Sequence, residues 1–399
     1  MVTQLSSNYM VHPMKLYFPQ YYRQFRCIAA ACPDSCCQGW AVDVDETAAD
    51  YYRSLPGDLG DRLRSVLRDE GDGAYMEIED GRCPMWRQDG LCRIQAELGH
   101  DSLCRVCRTF PRLRHDYGDF VELGLELSCP EAARLIFTAP ADLLCEELPG
   151  GEEPDYEPEL MDILLRSRKE ALALTEDFTL SVPELLAVLL LYAHEVQAQL
   201  DGGEELPFSP AQALSDARRY ATDGSLPALL DFFKGLEILN PTWATRLDAA
   251  QKAFSRGEGG TAPAVTDVDC GQQSADPHEA ADLSRSPSLV IASCRAGACS
   301  RRPWQSVPPW TDLYRPLIRY FVSRWWLQAV SDYDLISRVK LTVSACLVIH
   351  ALGGDTVQTA QAFSKEIEND PDNIEAILDG AYTSPALTDV QLLSLLLHP

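Results

Sequence analysis

The sequence lacks the apolar segments that mark exported and membrane-spanning proteins. Its first residues show no charged start followed by an apolar run and a small-residue cleavage site, so no signal peptide is predicted. The longest apolar run, residues 185–193, is far shorter than the roughly 18 residues that cross a bilayer. We therefore expect no membrane span and a cytoplasmic location, where thiols are kept reduced.

Basic residues are also scarce. The chain has 34 Lys and Arg against 60 Asp and Glu, which gives a formal net charge of −26. This excess of acid argues against broad nucleic-acid binding, so no nucleic-acid partner is expected. The chain is nevertheless not of the disordered acidic type, because 46% of its residues are hydrophobic and 9% are aromatic. A length of 399 residues favours at least two domains.

Cysteine, by contrast, is abundant and concentrated. The chain has 14 cysteines, and the nine between residues 27 and 129 are our candidate metal ligands: Cys27, Cys32, Cys36, Cys37, Cys83, Cys92, Cys104, Cys107 and Cys129. In a reducing compartment, this density indicates metal or redox chemistry more than a disulfide framework. The other five have no predicted role: Cys145, Cys270, Cys294, Cys299 and Cys346.

The spacing of the nine cysteines is typical of chelation. Cys32-x3-Cys36-Cys37 is a compact group, Cys83-x8-Cys92 is a wider pair, and Cys104-x2-Cys107 has the tight spacing at which two sulfurs bind one centre. Thiolates select zinc, iron–sulfur clusters or Cu(I), so the ligands alone leave the metal open.

The charge near these cysteines differs from that of the whole chain. Residues 82–114 contain seven arginines and three acids, and the guanidiniums could offset thiolate charge or bind an anionic substrate.

His100 and His115 are possible additional ligands, although a single histidine is more often structural. A capping box of Ser128 and Glu131 would place Cys129 in the first turn of a helix, which favours a thiolate; the alternative is a small buried side chain.

The pattern along the chain predicts a mainly α protein with a small irregular α+β cysteine-rich N-terminal region. We divide it into a cysteine-rich domain (1–145), an acidic linker (146–159) and a helical domain (160–399), with 256–309 a long loop or diverged insertion. Residues 120–127 are predicted to form a half-buried strand, and Asp89-Gly90 a turn between two cysteines. No glycine-rich strand–turn–helix fingerprint is present, so the fold is not expected to be Rossmann-like.

Several segments resemble the flagellin lysine-N-methylase family. They are residues 19–27 (PQYYRQFRC), 32–40 (CPDSCCQGW), 81–84 (GRCP), 91–94 (LCRI), 103–112 (LCRVCRTFPR), 127–134 (LSCPEAAR), 320–321 (YF), 329–330 (AV) and 364–369 (SKEIEN). Six of the cysteines also resemble the pattern of a broader family of zinc- or iron-chelating proteins: Cys32, Cys36, Cys37, Cys83, Cys92 and Cys107.

The resemblance implies S-adenosylmethionine-dependent methylation of lysine ε-amino groups, with flagellin as the protein substrate. It also implies a [4Fe–4S] cluster held by N-terminal cysteines, with zinc as the alternative metal. The radical-type motif Cys-x3-Cys-x2-Cys is absent as written, because Gly39 stands at its third position.

Methyl transfer to an amine requires a neutral lysine, so a proton must leave to water or to a side chain. The candidate bases or orienting groups near the matched segments are two tyrosines and three acids, namely Tyr21, Tyr22, Glu126, Glu366 and Glu368. An acidic surface suits a lysine-bearing partner. The alternative function is a non-catalytic zinc- or iron-binding, redox-sensing protein with a helical partner-binding domain.

Overall fold

The computed structural model describes residues 12–71, 73–151, 153–154, 156–222, 224–256 and 309–397. Within these residues the fold is mainly α-helical, with two small sheets near the N-terminus, as predicted. The predicted loop at 256–309 lies almost entirely outside the described residues. No helix in the described part of the chain is both long and apolar enough to cross a membrane.

A four-stranded sheet joins distant parts of the N-terminal region in the order β5-β6-β1-β7. Its strands are β1 (His12–Pro19), β5 (Arg112–Asp116), β6 (Phe120–Leu125) and β7 (Leu143–Gly151). β1 runs parallel to β6 and antiparallel to β7, and Leu16 lies opposite both Val121 and Glu146. β6 confirms the strand predicted at 120–127 and leads through a short turn into α5 (Pro130–Thr138).

The acidic segment 146–159 is only partly a linker. Its residues up to Gly151 extend β7, where backbone pairing with β1 holds them in the sheet. Most of β7 is solvent-exposed, which explains its acidic composition. The connection between the two regions is therefore shorter than predicted, since α6 already begins at Pro158.

Residues 42–109 form a second, smaller unit. Strands β2 (Val42–Val44), β3 (Leu67–Glu70) and β4 (Gly73–Met76) pair in the order β2-β4-β3, beside helices α1 (Glu46–Ser54), α2 (Gly57–Val66), α3 (Arg93–Leu98) and α4 (Arg105–Thr109). Its hydrophobic interior, here called the small core, centres on Tyr52, Leu63, Met76, Met85 and Ile94. The predicted turn is present, because Trp86 bridges Cys92 around Gly90, whose φ is +79°.

The remaining described helices form the helical body. They are α6 (Pro158–Leu174), α7 (Val182–Leu200), α8 (Pro210–Tyr220), α9 (Leu226–Lys234), α10 (Pro241–Arg256), α11 (Tyr314–Trp325), α12 (Ile336–Leu352), α13 (Thr356–Phe363), α14 (Pro371–Thr383) and α15 (Asp389–Leu397). α12 is buried on every side, which a helix tolerates only at the centre of a bundle. The interior of this body, here called the large core, continues onto α5 and the four-stranded sheet.

Candidate functional site

α13 passes into a single π-helical turn, Ser364–Glu368, and such turns are frequent at functional sites. Its side chains face three different environments. The Lys365 Nζ lies 2.6 Å from the Asp34 carboxylate in the cysteine-bearing loop. The Glu366 carboxylate accepts backbone N–H bonds from Leu239 and Asn240, so it anchors a loop of the helical body.

Glu368, at the end of this turn, has a fully buried side chain surrounded by donors. Trp325 Nε1 donates to it at 3.1 Å and Tyr320 Oη donates at 3.2 Å. The guanidinium of Arg324 lies 3.4 Å from Glu368 and 3.9 Å from Glu126, between the two carboxylates. The π-helical turn thus places one end of a buried charged group directly beside α11.

The charges in this group support one another. Burial opposes the positive charge of Arg324, but Glu368, Tyr320 and Glu126 outweigh it and raise the Arg324 pKa. Burial raises the pKa of Glu126 above its ordinary value, while Arg324 acts in the opposite direction. Burial also raises the pKa of Tyr320, so its hydroxyl stays protonated at neutral pH and donates to Glu368.

A cavity of about 650 Å³ lies in front of this charged group, between the sheet and helices α5, α6 and α11. Its volume is in the range of pockets that hold a nucleoside-sized ligand. The wall combines apolar side chains with polar ones, and the polar ones include Tyr21, His115, Glu122, Arg168, Arg319, Tyr320 and Arg324. Glu122 and Arg168 form a paired fork across the cavity wall, with hydrogen bonds of 2.7 and 2.5 Å.

His115 is the cavity residue best suited to accept a proton. It lies on β5, and its Nε2 is buried with no hydrogen-bond partner among the described residues. Burial and the neighbouring charge of Arg324 lower its pKa, so the imidazole is neutral at physiological pH. The sequence pattern had suggested His115 only as a metal ligand.

The five sequence-predicted bases separate into different roles. Tyr21 lines the cavity, whereas Glu126 and Glu368 lie behind its wall and hold Arg324. Tyr22 is half-buried beside Arg112. Glu366 accepts a backbone hydrogen bond from Leu239 in the loop before α10. Sequence reasoning gave no site role to Arg168, Tyr320 or Arg324, although Tyr320 lies in one of the segments that carry the family resemblance. The four-residue spacing of Tyr320 and Arg324 on one helix face was the available signal for that pair.

The nine candidate cysteines lie in two neighbouring places. Five surround or pack against the small core, and we call them the small-core set: Cys37, Cys83, Cys92, Cys104 and Cys107. The other four lie where the loop 27–37 meets the start of α5, and we call them the junction set: Cys27, Cys32, Cys36 and Cys129. All eleven described cysteines are free thiols.

Thiols contact one another both within the small-core set and between the two sets, where Cys36 of the junction set meets Cys37. Cys36 and Cys83 donate hydrogen bonds to the Cys37 sulfur and lower the pKa of Cys37 to about 3. The Cys107 thiol donates to Cys104 and holds the Cys104 pKa below its ordinary value. One sulfur in each contact is therefore prepared to be a thiolate, the form that binds metals.

The junction set includes a cysteine at a helix N-terminus. Cys129, and not Ser128, is the N-cap of α5, because Ser128 Oγ donates to Glu126 and Glu131 pairs with Arg134. The predicted capping box is therefore wrong, although Cys129 does lie at the start of the helix. Burial raises the Cys129 pKa to about 11, against the effect of two backbone N–H groups that point at its sulfur.

Four of the seven arginines of residues 82–114 have partners other than the thiols. Arg87, Arg93 and Arg114 pair with nearby acids on the surface, and Arg82 covers the ring of Trp86. The cation that acts on Cys32 and Cys37 is Lys365, from the π-helical turn. Sequence proximity misled here because exposed arginines find local partners first.

The fit to a metal was tested on the donor set. Over the described residues, no three His, Cys, Asp or Glu side chains already stand in positions that would hold an ion. Nine reduced thiols nevertheless lie close together, several in direct contact and several receiving backbone N–H bonds. In kind and number these donors suit zinc or an iron–sulfur cluster.

Comparison with known proteins gives three related sequences. The chain is 31% identical over 139 residues to proteins named Lysine-N-methylase from Salmonella typhimurium (strain LT2) and Salmonella choleraesuis, covering 32% of this chain and 34% of each relative. It is 32% identical over 132 residues to "Flagellar biosynthetic protein FliU" of Salmonella muenchen, covering 76% of that protein. The match thus spans about a third of the two methylases. No family model and no solved structure matches the chain.

Proposed function

Because this chain belongs to the flagellin lysine-N-methylase family, we propose that it is an S-adenosylmethionine-dependent methyltransferase acting on lysine ε-amino groups of flagellin. The observation that carries this proposal is the cavity, whose wall combines the neutral imidazole of His115 with the hydroxyl of Tyr320 and the guanidinium of Arg324. Its volume accommodates the methyl donor and the end of one lysine side chain.

The reaction is a direct displacement at the methyl carbon. The lone pair of the lysine nitrogen attacks that carbon, the carbon–sulfur bond breaks, and its electron pair remains on the sulfur of the departing S-adenosylhomocysteine. The amine must first lose a proton, which leaves to water in the cavity or to the imidazole of His115. Partial removal from water in the cavity also favours the neutral form of the lysine.

The surrounding residues hold this arrangement in place. Glu368 and Glu126 fix Arg324, and Arg324 in turn donates to Tyr320 Oη at 2.5 Å. Glu368 and Glu126 are positioning residues, because their carboxylates lie behind the cavity wall and act through Arg324. Near Leu143, the exposed Asp142 places a negative charge beside the cavity that attracts the cationic lysine.

The second part of the proposal is an iron–sulfur cluster held by the N-terminal cysteines. When bound, such a cluster supplies electron transfer or cross-links the chain segments that carry its ligands. The support is the set of nine free thiols beside the π-helical turn. We also place the protein in the cytoplasm, because a reducing compartment keeps these thiols available.

The test is methyl transfer by anaerobically purified protein with S-adenosylmethionine and flagellin, read by mass spectrometry of flagellin peptides. We expect methylated lysines, and His115→Gln should lower kcat about 100-fold or more at an unchanged KM for the methyl donor. His100→Gln, which alters a histidine outside the cavity, is the matched control. Bound metal without S-adenosylmethionine binding or methyl transfer would instead support the non-catalytic, redox-sensing alternative.

A further inference from the structure

Strand β7 lies at one end of the four-stranded sheet, and its outer edge is open. β1 pairs with one side of it, and no strand in the described part of the chain pairs with the other. This edge begins at the cavity, because Asp142 and Leu143 are among the residues that line it. An unpaired strand edge can bind an extended peptide through backbone hydrogen bonds. A peptide bound along β7 would therefore end beside the cavity.

The backbone groups of β7 that face outward can be assigned from one hydrogen bond. The carbonyl of Asp142 accepts from the backbone N–H of Gln20 at 2.9 Å, so it points toward the β1 side. Successive residues of an antiparallel strand direct their N–H and C=O groups to alternate sides. The residues whose backbone groups point away from β1 are Leu143, Cys145 and Glu147.

The pairing of β1 on its other side supports this assignment. Lys15 lies opposite Glu147, and its N–H donates at 3.2 Å to the carbonyl of Asp119, on the β6 side. Lys15 therefore does not bond to β7, and the backbone of Glu147 points outward. Pro149 follows in the same alternation and has no N–H, which suits an edge position and ends the row of donors.

The side chains of β7 include apolar groups that a merely solvated strand does not need. Leu143, Leu144 and Leu148 are 57%, 40% and 37% exposed, respectively. Because side chains alternate along a strand, Leu144 and Leu148 lie on one face of the sheet and Leu143 on the other. The side chains of a strand added at this edge would contact these leucines as cross-strand neighbours. The edge thus offers apolar contacts as well as hydrogen bonds.

Charge at this edge favours a basic partner. Residues 142–148 contain three acids and no base. Glu146 pairs with Arg23, while Asp142 and Glu147 are exposed at the two ends of the open edge. A cationic segment is attracted to such a surface. A second copy of this chain, with its net charge of −26, would instead place acids opposite acids, which is destabilising.

We propose that the outer edge of β7 is the docking site for an extended, lysine-bearing segment of the protein substrate. The segment adds to the sheet as a further strand, and its lysine enters the cavity beside Leu143. The identity of the partner rests on the proposed function. Because backbone groups make most of the contacts, the site selects extended segments with a basic side chain and tolerates varied sequences around the lysine.

The first test uses a fluorescein-labelled synthetic peptide of alternating threonine and valine with one central lysine. Its binding to the full chain is measured by fluorescence anisotropy, without methyl donor. Two further peptides carry N-methyl groups on the amides of one or the other set of alternate residues. Only one edge of the peptide faces β7, so one N-methylated peptide should bind about tenfold more weakly or worse, and the other should bind like the parent.

The second test alters the edge itself. Cys145→Pro removes the central outward N–H and should weaken binding of the parent peptide about tenfold. Cys145→Ala keeps the backbone and is the matched control, with unchanged affinity. In the unaltered chain, the peptide should slow hydrogen exchange at the amides of Leu143, Cys145 and Glu147. If Cys145→Pro fails to fold, the two N-methylated peptides decide the question on the unaltered chain.

Several results would overturn the proposal. They are an absence of peptide binding, equal affinity of the two N-methylated peptides, and unchanged hydrogen exchange along β7. Protection of the same amides that grows with protein concentration and needs no peptide would show that a second copy occupies the edge. Methyl transfer is read separately. Docking without methyl transfer would count against the enzyme only, whereas methyl transfer by Cys145→Pro at an unchanged KM for flagellin would count against the docking site only.

Discussion

Arg324 carries a buried positive charge that depends on the two carboxylates around it. Its side chain is 8% exposed, and that of Glu368 is fully buried. A charge in such surroundings is stable only while its partners remain, because neither ion can regain its hydration shell. The same residue connects the buried acids to the cavity through its hydrogen bond to Tyr320.

We therefore predict that Arg324→Gln lowers the free energy of unfolding by about 3–5 kcal/mol, since it leaves two buried carboxylates without their counter-charge. Urea unfolding followed by circular dichroism measures the change. The control is Arg134→Gln, which removes an arginine from an exposed pair with Glu131 and should cost less than about 1 kcal/mol. Equal, small losses in both variants would contradict a charge-balanced buried group.

His350 is a second residue whose charge state affects stability. It lies in α12, stacked on Trp310 at 3.8 Å between ring centroids, with Tyr314 Oη 3.4 Å from its Nδ1. Burial lowers the His350 pKa to about 3, far below the ordinary value of about 6.5. Between about pH 3 and pH 6.5, the unfolded chain therefore binds a proton at this histidine, whereas the folded chain does not. Stability is full above pH 6.5 and is lost as the pH falls toward 3.

The prediction is that the free energy of unfolding falls by up to about 1.4 kcal/mol per pH unit below pH 6.5 because of this residue. His350→Phe should flatten that dependence when urea unfolding is compared between about pH 6.5 and pH 5. His115, whose pKa is also lowered, leaves a remaining slope of the same sign. The exposed His194 is the control, and a His194→Gln slope matching that of His350→Phe would refute the assignment.

At the scale of elements, the π-helical turn joins the cysteine-bearing loop to the cavity. The helix α13 that precedes it presents Gln361, and the turn presents Lys365 and Glu368 to different neighbours. The extra residue of a π turn changes the direction of the side chains that follow, which lets one short segment face two sites.

Gln361→Leu tests this connection. The substitution leaves the Ser128 carbonyl and the Asp34 carboxylate without their amide donor, so we expect a loss of about 1–3 kcal/mol in the free energy of unfolding. In metal-free protein, the buried Cys129 should also react faster with an alkylating reagent. Gln358→Leu, an exposed change on the same helix, should leave both quantities unchanged. An unaltered alkylation rate in Gln361→Leu would show that the amide does not hold the junction closed.

The sequence correctly predicted structural features that are set by neighbouring residues, but not contacts between distant segments. The strand at Val121 and the turn at Gly90 follow from neighbouring residues, and both are present. The pairing of β7 with β1 and the contact of Gln361 with Ser128 join distant segments, for which periodicity holds no signal. Neighbours also misled at Ser128, because its hydroxyl prefers the carboxylate of Glu126.

At the scale of the whole molecule, the two interiors differ greatly in size. The large core contains the packed faces of the ten helices α6 to α15, whereas the small core has short helices, short strands and few apolar side chains. A hydrophobic interior that small rarely contributes more than about 3–5 kcal/mol to the folding of a unit of roughly 70 residues, so added cross-links would stabilise it. Metal bound by five neighbouring thiols would supply them.

Metal removal should therefore unfold the molecule in parts. We expect anaerobic treatment with a chelator to open residues 42–109 to protease, because the small core loses its cross-links. The far-ultraviolet helical signal should fall only slightly, since the helices of the large core keep their packing. Limited proteolysis with mapping of the cleavage sites, together with circular dichroism, measures both effects, and restored metal should reverse them. A single cooperative loss of all helical signal would show instead that the small core and the large core unfold as one cooperative unit.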